Sequence, residues 1–147
     1  MPDTTIPVVQ ASRPQAQRRQ ERARRTEIAR ILLVEDEPVT AEVYARALDN
    51  DGHTVHVVRD GIQALHALRD RDHDLVVLDL GLPTMPGTEV LRRLRSDLRR
   101  GMPVIVISGT SPKSVPDAAA LLAPGRWLEK PLRPRELVAA VREMRAS

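Results

Sequence analysis

Apolar positions along the chain fall into short continuous runs that alternate with segments of helical spacing from residue 31 onward. Continuous runs are typical of parallel strands that are covered on both faces, and the helical segments between them complete βα units. His56 interrupts the second run, which favours an edge position for that strand. The pattern therefore predicts an α/β fold with five strands in a parallel sheet. The runs are ILLV at 31–34, TVHVV at 54–58, LVVL at 75–78, VIVI at 104–107 and WL at 127–128.

Helical stripes of apolar residues lie between the predicted strands, and each stripe is expected to pack on the sheet. Pro112 and Pro116 interrupt the region after the fourth strand, so we predict a short or irregular helix there. The stripes are Val39, Val43, Ala47 and Leu48; Ile62, Leu65 and Leu68; Val90, Leu91, Leu94 and Leu98; and Leu137, Val138, Val141 and Met144.

Two sets of polar residues are interpreted as surface groups. The arginines after the third strand are expected to form the solvent-exposed face of a helix. The histidines share no metal-ligand spacing, so we predict that they are surface or edge residues. The two sets are Arg92, Arg93, Arg95, Arg99 and Arg100, and His53, His56, His66 and His73.

The first 28 residues differ from the rest in charge and in pattern. Residues 1–30 hold seven arginines and three acidic residues, whereas the remaining 117 carry 16 basic and 17 acidic groups. Because the segment has three prolines and no sustained apolar periodicity, we predict that residues 1–28 form a disordered basic extension and that residues 29–147 form one domain. Nothing aromatic is interleaved with the arginines, so nucleic-acid or lipid binding is the lesser interpretation.

Composition narrows the class of protein. No stretch approaches the roughly 20 apolar residues of a membrane span, and no apolar run follows the N-terminal arginines as it would in a secretory signal. The chain has no cysteine, which suits a reducing compartment. We therefore expect a cytoplasmic protein with no membrane partner.

Charged and hydroxyl side chains follow the predicted strands, where a parallel sheet gathers its functional groups. Glu35 and Asp36 follow the first strand, Asp79 the third, Ser108 the fourth and Lys130 the fifth. Three carboxylates within about 4 Å of one another would repel by ~4 kcal/mol per pair at an effective dielectric of 20, so such a cluster needs a cation or protons. Hard oxygen ligands favour Mg²⁺, with Mn²⁺ as the alternative. Each of these residues taken alone is better interpreted as an ordinary exposed residue of a loop. Their joint occurrence at the ends of the strands is harder to explain in that way.

Four segments resemble the successive motifs of bacterial response-regulator receiver domains, and the likeness spans residues 30–146. They are ILLVEDEP, LVVLDLGLPTMPG, PVIVISGT and WLEKPL. The resemblance implies a doubly wound, flavodoxin-like (βα)5 fold with strand order 2-1-3-4-5. It implies that Asp79 accepts a phosphoryl group from a sensor histidine kinase or a phosphotransfer protein, so that the chain is a signalling domain and not an enzyme, with only slow loss of its own phosphate. It also implies that Mg²⁺ is held by Glu35, Asp36, Asp79 and the backbone carbonyl of Gly81.

The same resemblance implies a switch. Lys130 would pair with a phosphoryl oxygen, and the Lys130–Pro131 peptide would be cis. Ser108 would move to bond the phosphate and would pull the following loop with it. Trp127 stands where the family usually has a Tyr or Phe that turns inward; because indole is larger, a switching role and a simple packing role both stay open.

Two other functions stay open from the residues. One is an interaction module that keeps the fold without control by phosphorylation. The other is a phosphatase of the haloacid dehalogenase type, which needs a second Asp two residues after the nucleophile, where this chain has Gly81. No output module follows the last predicted helix, so we expect action through an unidentified downstream protein or a phosphorylation-dependent homodimer, and nucleic acid is not an expected partner.

Overall fold

Five parallel strands form one sheet in the computed structural model of the chain, which describes residues 14–146. Their order is β2-β1-β3-β4-β5, and every neighbouring pair is parallel. The predicted strand order and the edge position of the second strand are confirmed. The strands are β1 (Arg30–Val34), β2 (Thr54–Val58), β3 (Leu75–Asp79), β4 (Val104–Ser108) and β5 (Gly125–Glu129).

Helices cover both faces of the sheet. Residues Leu32 and Val34 of β1 pack into the core on one face with the helices that follow β2 and β3, whereas Ile31 and Leu33 pack on the other face with the helices that follow β1 and β5. This alternation makes β1, β3 and β4 almost wholly buried, as their continuous apolar runs predict. The helices are α1 (Gln15–Glu27), α2 (Pro38–Asn50), α3 (Gly61–Asp70), α4 (Gly87–Arg93), α5 (Pro116–Ala120) and α6 (Pro134–Ala146).

Irregular turns extend two of these helices. A π-helical turn, Leu94–Leu98, continues α4, and a 3-10 turn, Pro112–Ser114, precedes α5. The five-residue α5 confirms the prediction that the prolines leave only a short helix after β4. None of the described helices combines the length and the apolar character needed to cross a membrane.

The predicted apolar stripe of α2 is wrong in part. Val39 and Val43 are 67% and 43% exposed, and the helix buries Ala41 and Tyr44 together with Leu48, which is buried as predicted. The first half of α2 carries apolar side chains on two adjacent stripes, and periodicity alone does not decide which one meets the sheet. Ile62 of α3 is likewise exposed, whereas the stripes of α4 and α6 pack as predicted.

Gln15–Glu27, which lie in the extension predicted to be disordered, form α1. Alanine, arginine, glutamine and glutamate all have good helix propensity, so a helix needs no apolar stripe to be favoured here. A helix of this length is marginal alone, and α1 gains contacts with α6. Residues 1–13 lie outside the described residues, and the domain boundary at residue 28 stays a prediction.

Three residues interpreted as surface groups are buried. Arg95 is 8% exposed, and its guanidinium group donates hydrogen bonds to five backbone carbonyls. Arg95 lies in the π-helical turn, whose wider winding changes which side chains face the core. His53 and His73 are also buried. His53 accepts a hydrogen bond from the N–H of Ala29, and His73 stacks on His56.

Candidate functional site

The residues predicted to carry the chemistry lie together at the carboxyl end of the sheet. Parallel register sets Asp79 beside Ile107 and Ser108 beside Glu129, so the residues that end β3, β4 and β5 stand side by side. Glu35 continues from β1 and Lys130 continues from β5. A pocket of about 300 Å³ opens between them, which we call the acid pocket. It is lined by Glu35, Asp36, Glu37, Thr40, Tyr44, Asp79, Gly81, Lys130, Pro131 and Leu132.

Asp79 accepts hydrogen bonds on both of its carboxylate oxygens. Its Oδ2 accepts a hydrogen bond from Lys130 Nζ at 2.8 Å, and its Oδ1 accepts one from the N–H of Gly81 at 2.8 Å. Burial pushes the pKa of Asp79 upward, but hydrogen bonds from Glu35, Lys130 and Gly81 outweigh burial and hold this pKa below its ordinary value. The Asp79 carboxylate is therefore ionised at neutral pH.

Glu35 is the opposite case. Its side chain is almost fully buried, and Oε2 has no hydrogen-bond partner among the described residues. Burial, together with the hydrogen bond to Asp79 and the charge of Asp79, raises the pKa of Glu35 to about 8. The Lys130 ammonium opposes this rise without cancelling it. Glu35 is thus a buried carboxyl group with one oxygen that no neighbouring donor in residues 14–146 satisfies.

The donor set fits a hard divalent cation. One oxygen each from Glu35, Asp36 and Asp79 lies within 4.8 Å of the others. Asp36 is exposed, so the group is open to solvent on one side. Carboxylate oxygens are the ligands that Mg²⁺ and Mn²⁺ prefer, and the orphaned Oε2 of Glu35 is an acceptor that a cation would satisfy. Gly81 lines the acid pocket, and the coordination of the cation by its backbone carbonyl stays a prediction.

Ser108 and Trp127 meet at Thr110, beside the acid pocket. Ser108 Oγ accepts a hydrogen bond from the N–H of Thr110 at 3.1 Å and lies 3.0 Å from the Thr110 hydroxyl. The indole N–H of Trp127 donates to the carbonyl of Thr110 at 2.9 Å. Trp127 is partly buried against the core of that face. One residue thus connects the predicted hydroxyl switch with the predicted aromatic switch.

Sequence reasoning missed the part of the acid pocket built by α2. Glu37, Thr40 and Tyr44 line the pocket, and their spacing of three and four residues sets them on one helix face. That spacing, directly after the acidic pair, is the signal that points to them. The carboxylate of Glu37 caps α2 by accepting hydrogen bonds from the N–H groups of Val39 and Thr40. The Lys130–Pro131 peptide is cis, as the resemblance implied.

Two larger cavities lie at the amino end of the sheet. One, of about 500 Å³, is lined by Asp51, His53 and Arg142, and the other, of about 540 Å³, by Arg126 and Glu143 among others. In each cavity the charged groups pair with one another, as Arg142 does with Asp51 and Arg126 with Glu143. The acid pocket is smaller, but of these three it is the one in which several acidic side chains are gathered.

Comparisons with known proteins agree with this geometry. The family described as "Response regulator receiver domain" matches residues 31–142. The chain is 42% identical over 115 residues to "DNA-binding response regulator MtrA" of Mycolicibacterium smegmatis, covering 77% of this chain and 49% of the relative. It is 44% identical over 117 residues to "Transcriptional regulatory protein TcrA" of Mycobacterium tuberculosis, covering 78% and 45%. The chain thus spans about half the length of these relatives.

Solved structures share the fold. The receiver domain protein (CheY-like) from Methanospirillum hungatei superposes with a TM-score of 0.74 at 27% identity, covering 81% of this chain and 94% of that one. The receiver domain of the sensor histidine kinase PA1611 from Pseudomonas aeruginosa superposes with a TM-score of 0.73 at 28% identity, covering 82% and 99%. That structure has a magnesium ion coordinated in its active site cleft.

Proposed function

Because the chain belongs to the response regulator receiver domain family of two-component signalling, we propose that it is a switch which accepts a phosphoryl group on Asp79. The observation that carries the proposal is the convergence of Glu35, Asp36, Asp79 and Lys130, distant in sequence, in one solvent-accessible pocket. The family is a signalling family, which favours this function over a phosphatase of the haloacid dehalogenase type.

The proposed reaction moves one phosphoryl group. An oxygen of the Asp79 carboxylate attacks the phosphorus of a phosphohistidine on a sensor kinase or a phosphotransfer protein. The bond between phosphorus and the imidazole nitrogen breaks, the nitrogen keeps the electron pair, and a bond between phosphorus and the Asp79 oxygen forms. The lowered pKa of Asp79 supports this role, because the nucleophile needs no deprotonation at neutral pH.

Charge neutralisation accounts for the other residues of the acid pocket. Phosphoryl transfer depends on positioning and on the stabilisation of charge on the equatorial oxygens. The Lys130 ammonium, now 2.8 Å from Asp79, is in reach of an oxygen on a phosphoryl group attached there. Glu35, Asp36, Asp79 and the Gly81 carbonyl would hold Mg²⁺, or Mn²⁺, which when bound supplies a second positive charge to the phosphoryl oxygens.

The proposed output begins at Ser108. A hydrogen bond from Ser108 Oγ to a phosphoryl oxygen is worth ~1.5 to 3 kcal/mol, which shifts a two-state equilibrium roughly ten- to a hundredfold. Such a bond competes with the contacts that Ser108 makes to Thr110, and Thr110 also accepts the indole N–H of Trp127. A displaced loop at Thr110 therefore reaches Trp127, which supports a switching role for this aromatic over simple packing.

The downstream partner is proposed to be a protein, bound by a surface that changes on phosphorylation; a phosphorylation-dependent homodimer is one form of it. A DNA-linked output is the second candidate, because the names of the relatives MtrA and TcrA describe DNA-binding and transcriptional regulators. Gel-shift assays with the phosphorylated chain separate these candidates, since direct binding of DNA would favour the second. The cytoplasmic location stays a prediction.

The deciding experiment is intact-mass analysis after incubation with acetyl phosphate and Mg²⁺. We expect the wild type to gain one phosphoryl group and Asp79→Asn to gain none. The matched control is Asp97→Asn, an exposed aspartate beyond α4, which should be phosphorylated like the wild type. No mass gain in the wild type after this incubation, or an equal gain in Asp79→Asn, would overturn the proposal and favour an interaction module.

A further inference from the structure

Tyr44 is a buried aromatic residue of α2 that reaches the loop after β5. It is 6% exposed, and its hydroxyl donates a hydrogen bond to the carbonyl of Leu132 at 3.2 Å. Tyr44 and Leu132 both line the acid pocket, and so does Lys130, two residues before Leu132. The hydroxyl therefore joins the helix that follows Glu35 and Asp36 to the segment that carries the pocket's ammonium group.

The segment between β5 and α6 is short and has few anchors. It begins at Lys130, whose N–H donates to the carbonyl of Ser108 at 2.8 Å. Pro131 follows and has no N–H to donate. On the far side of Pro131 the hydrogen bond from Tyr44 fixes the Leu132 backbone, and the Leu132 side chain packs on the same core cluster.

We infer that Tyr44 is a positioning residue for phosphoryl transfer, because its hydroxyl holds the 130–133 segment so that the Lys130 ammonium stays at Asp79. This inference rests on the proposed phosphorylation of Asp79. Lys130 has a long, flexible side chain that is 39% exposed, so the place of its ammonium depends on a fixed backbone. Small errors in the position of a charged group lower the rate of a reaction that depends on alignment.

The electrostatics agree with this placement. Burial raises the pKa of Tyr44, and the charges of Glu35 and Asp79 raise it further against the opposing effect of Lys130. The phenol is therefore neutral and keeps the proton that it donates to Leu132. The ring itself belongs to the core with Leu48, so a simple packing role is the alternative that an experiment must separate.

Tyr44→Phe makes this separation, because it removes the hydroxyl and keeps the ring in the core. We expect phosphorylation by acetyl phosphate to slow by about two- to tenfold, the range that corresponds to one hydrogen bond. Mg²⁺ affinity, followed by Trp127 fluorescence, should not change, because the proposed ligands lie at or directly after the ends of β1 and β3 and not on the 130–133 segment. Amide hydrogen exchange of Leu132 and Arg133 should accelerate, whereas that of β1 should not.

The matched control is Ser96→Ala, which deletes a hydroxyl that donates to the carbonyl of Arg92. It should leave the phosphorylation rate and the exchange of Leu132 unchanged. An unaltered rate in Tyr44→Phe overturns the inference, and so does a slower rate accompanied by an equal loss of Mg²⁺ affinity. If the wild type takes no phosphate, the proposed function fails instead, and the exchange measurement still tests whether the hydroxyl anchors the segment.

Discussion

At the carboxyl end of the sheet three carboxyl groups lie near one ammonium group, whereas at the amino end oppositely charged groups pair with one another. Asp51 pairs with both Arg142 and His53, and the Arg95 guanidinium is surrounded by backbone carbonyls of the segments that lead into β4 and β5. In the acid pocket, by contrast, Glu35 keeps an unpartnered oxygen. Among the described residues, His73 Nδ1 and Arg145 Nε also lack a hydrogen-bond partner, so the acid pocket is distinguished by its gathered carboxyl groups and not by an unpartnered atom alone.

This difference separates charged groups that stabilise the fold from charged groups that serve a binding site. Buried polar groups without partners are costly, so their presence beside a solvent-accessible pocket indicates a site that is completed by a ligand. Paired groups at the amino end need no ligand and are expected to act on stability. Substitutions at the two ends should therefore change different measured quantities.

The largest effect is expected from Lys130→Met, which removes the ammonium from the acid pocket and keeps most of the side-chain length. Loss of a group that stabilises developing charge should slow phosphorylation by acetyl phosphate about a hundredfold or more. The rate of mass gain measures this. Lys113→Met is the matched control, because Lys113 and Lys130 are the two lysines of the sequence and Lys113 is exposed. Equal rates in both variants would show that the acid pocket needs no ammonium.

Arg95→Met should produce the largest loss of stability at the amino end. The substitution leaves several buried carbonyls without a donor, and we expect the free energy of unfolding to fall by about 2 to 4 kcal/mol. Urea unfolding measures this change, with Arg93→Met on the exposed side of α4 as the control. The phosphorylation rate per folded molecule should match the wild type; a rate loss as large as that of Lys130→Met would erase the distinction between the two ends.

The stacked pair of His56 and His73 should make stability depend on pH. Burial lowers the pKa of both rings from the ordinary 6.5, and the cations Arg71, Arg99 and Arg30 around His73 lower it further. The unfolded chain therefore binds more protons just below pH 6.5, so the stabilisation is complete above that pH and is lost as the pH falls. Unfolding at pH 7 and pH 5 tests this, and His56→Gln should weaken the dependence. A pH-independent wild type contradicts it.

The smallest effect is expected from Asp51→Asn. The hydrogen bond from Arg142 holds the pKa of Asp51 below its ordinary value, against the effect of burial, but the Arg142 side chain is 68% exposed and solvent screens the pair. We expect a small fall in Tm by differential scanning calorimetry and no change in phosphorylation rate. Asp36→Asn, at the other end, should instead weaken Mg²⁺ binding; the reverse pattern would count against the comparison.

Much of the fold follows from short-range pattern. The runs at 31–34, 75–78 and 104–107 predict strands that differ from the observed ones by a single residue at one end. The acid pocket was predictable too, because the carboxyl ends of parallel strands meet at one edge, and Asp79 and Lys130 follow such runs. The wrong predictions have a common origin. A local pattern does not decide whether Val39 or Ala41 faces the sheet, or that Arg95 is buried while its neighbours are exposed.

The amino-acid sequence by itself determined which segments form strands, how these strands follow one another and which chemical groups end them. Hydrophobic period and turn propensity depend on neighbouring residues, so the sequence contains this information. Packing alone decided that Tyr44 contacts Leu132, that Arg95 bonds to its backbone carbonyls and that burial raises the pKa of Glu35. Each of these depends on desolvation and on partners brought together from distant parts of the chain, and no window of adjacent residues contains that information.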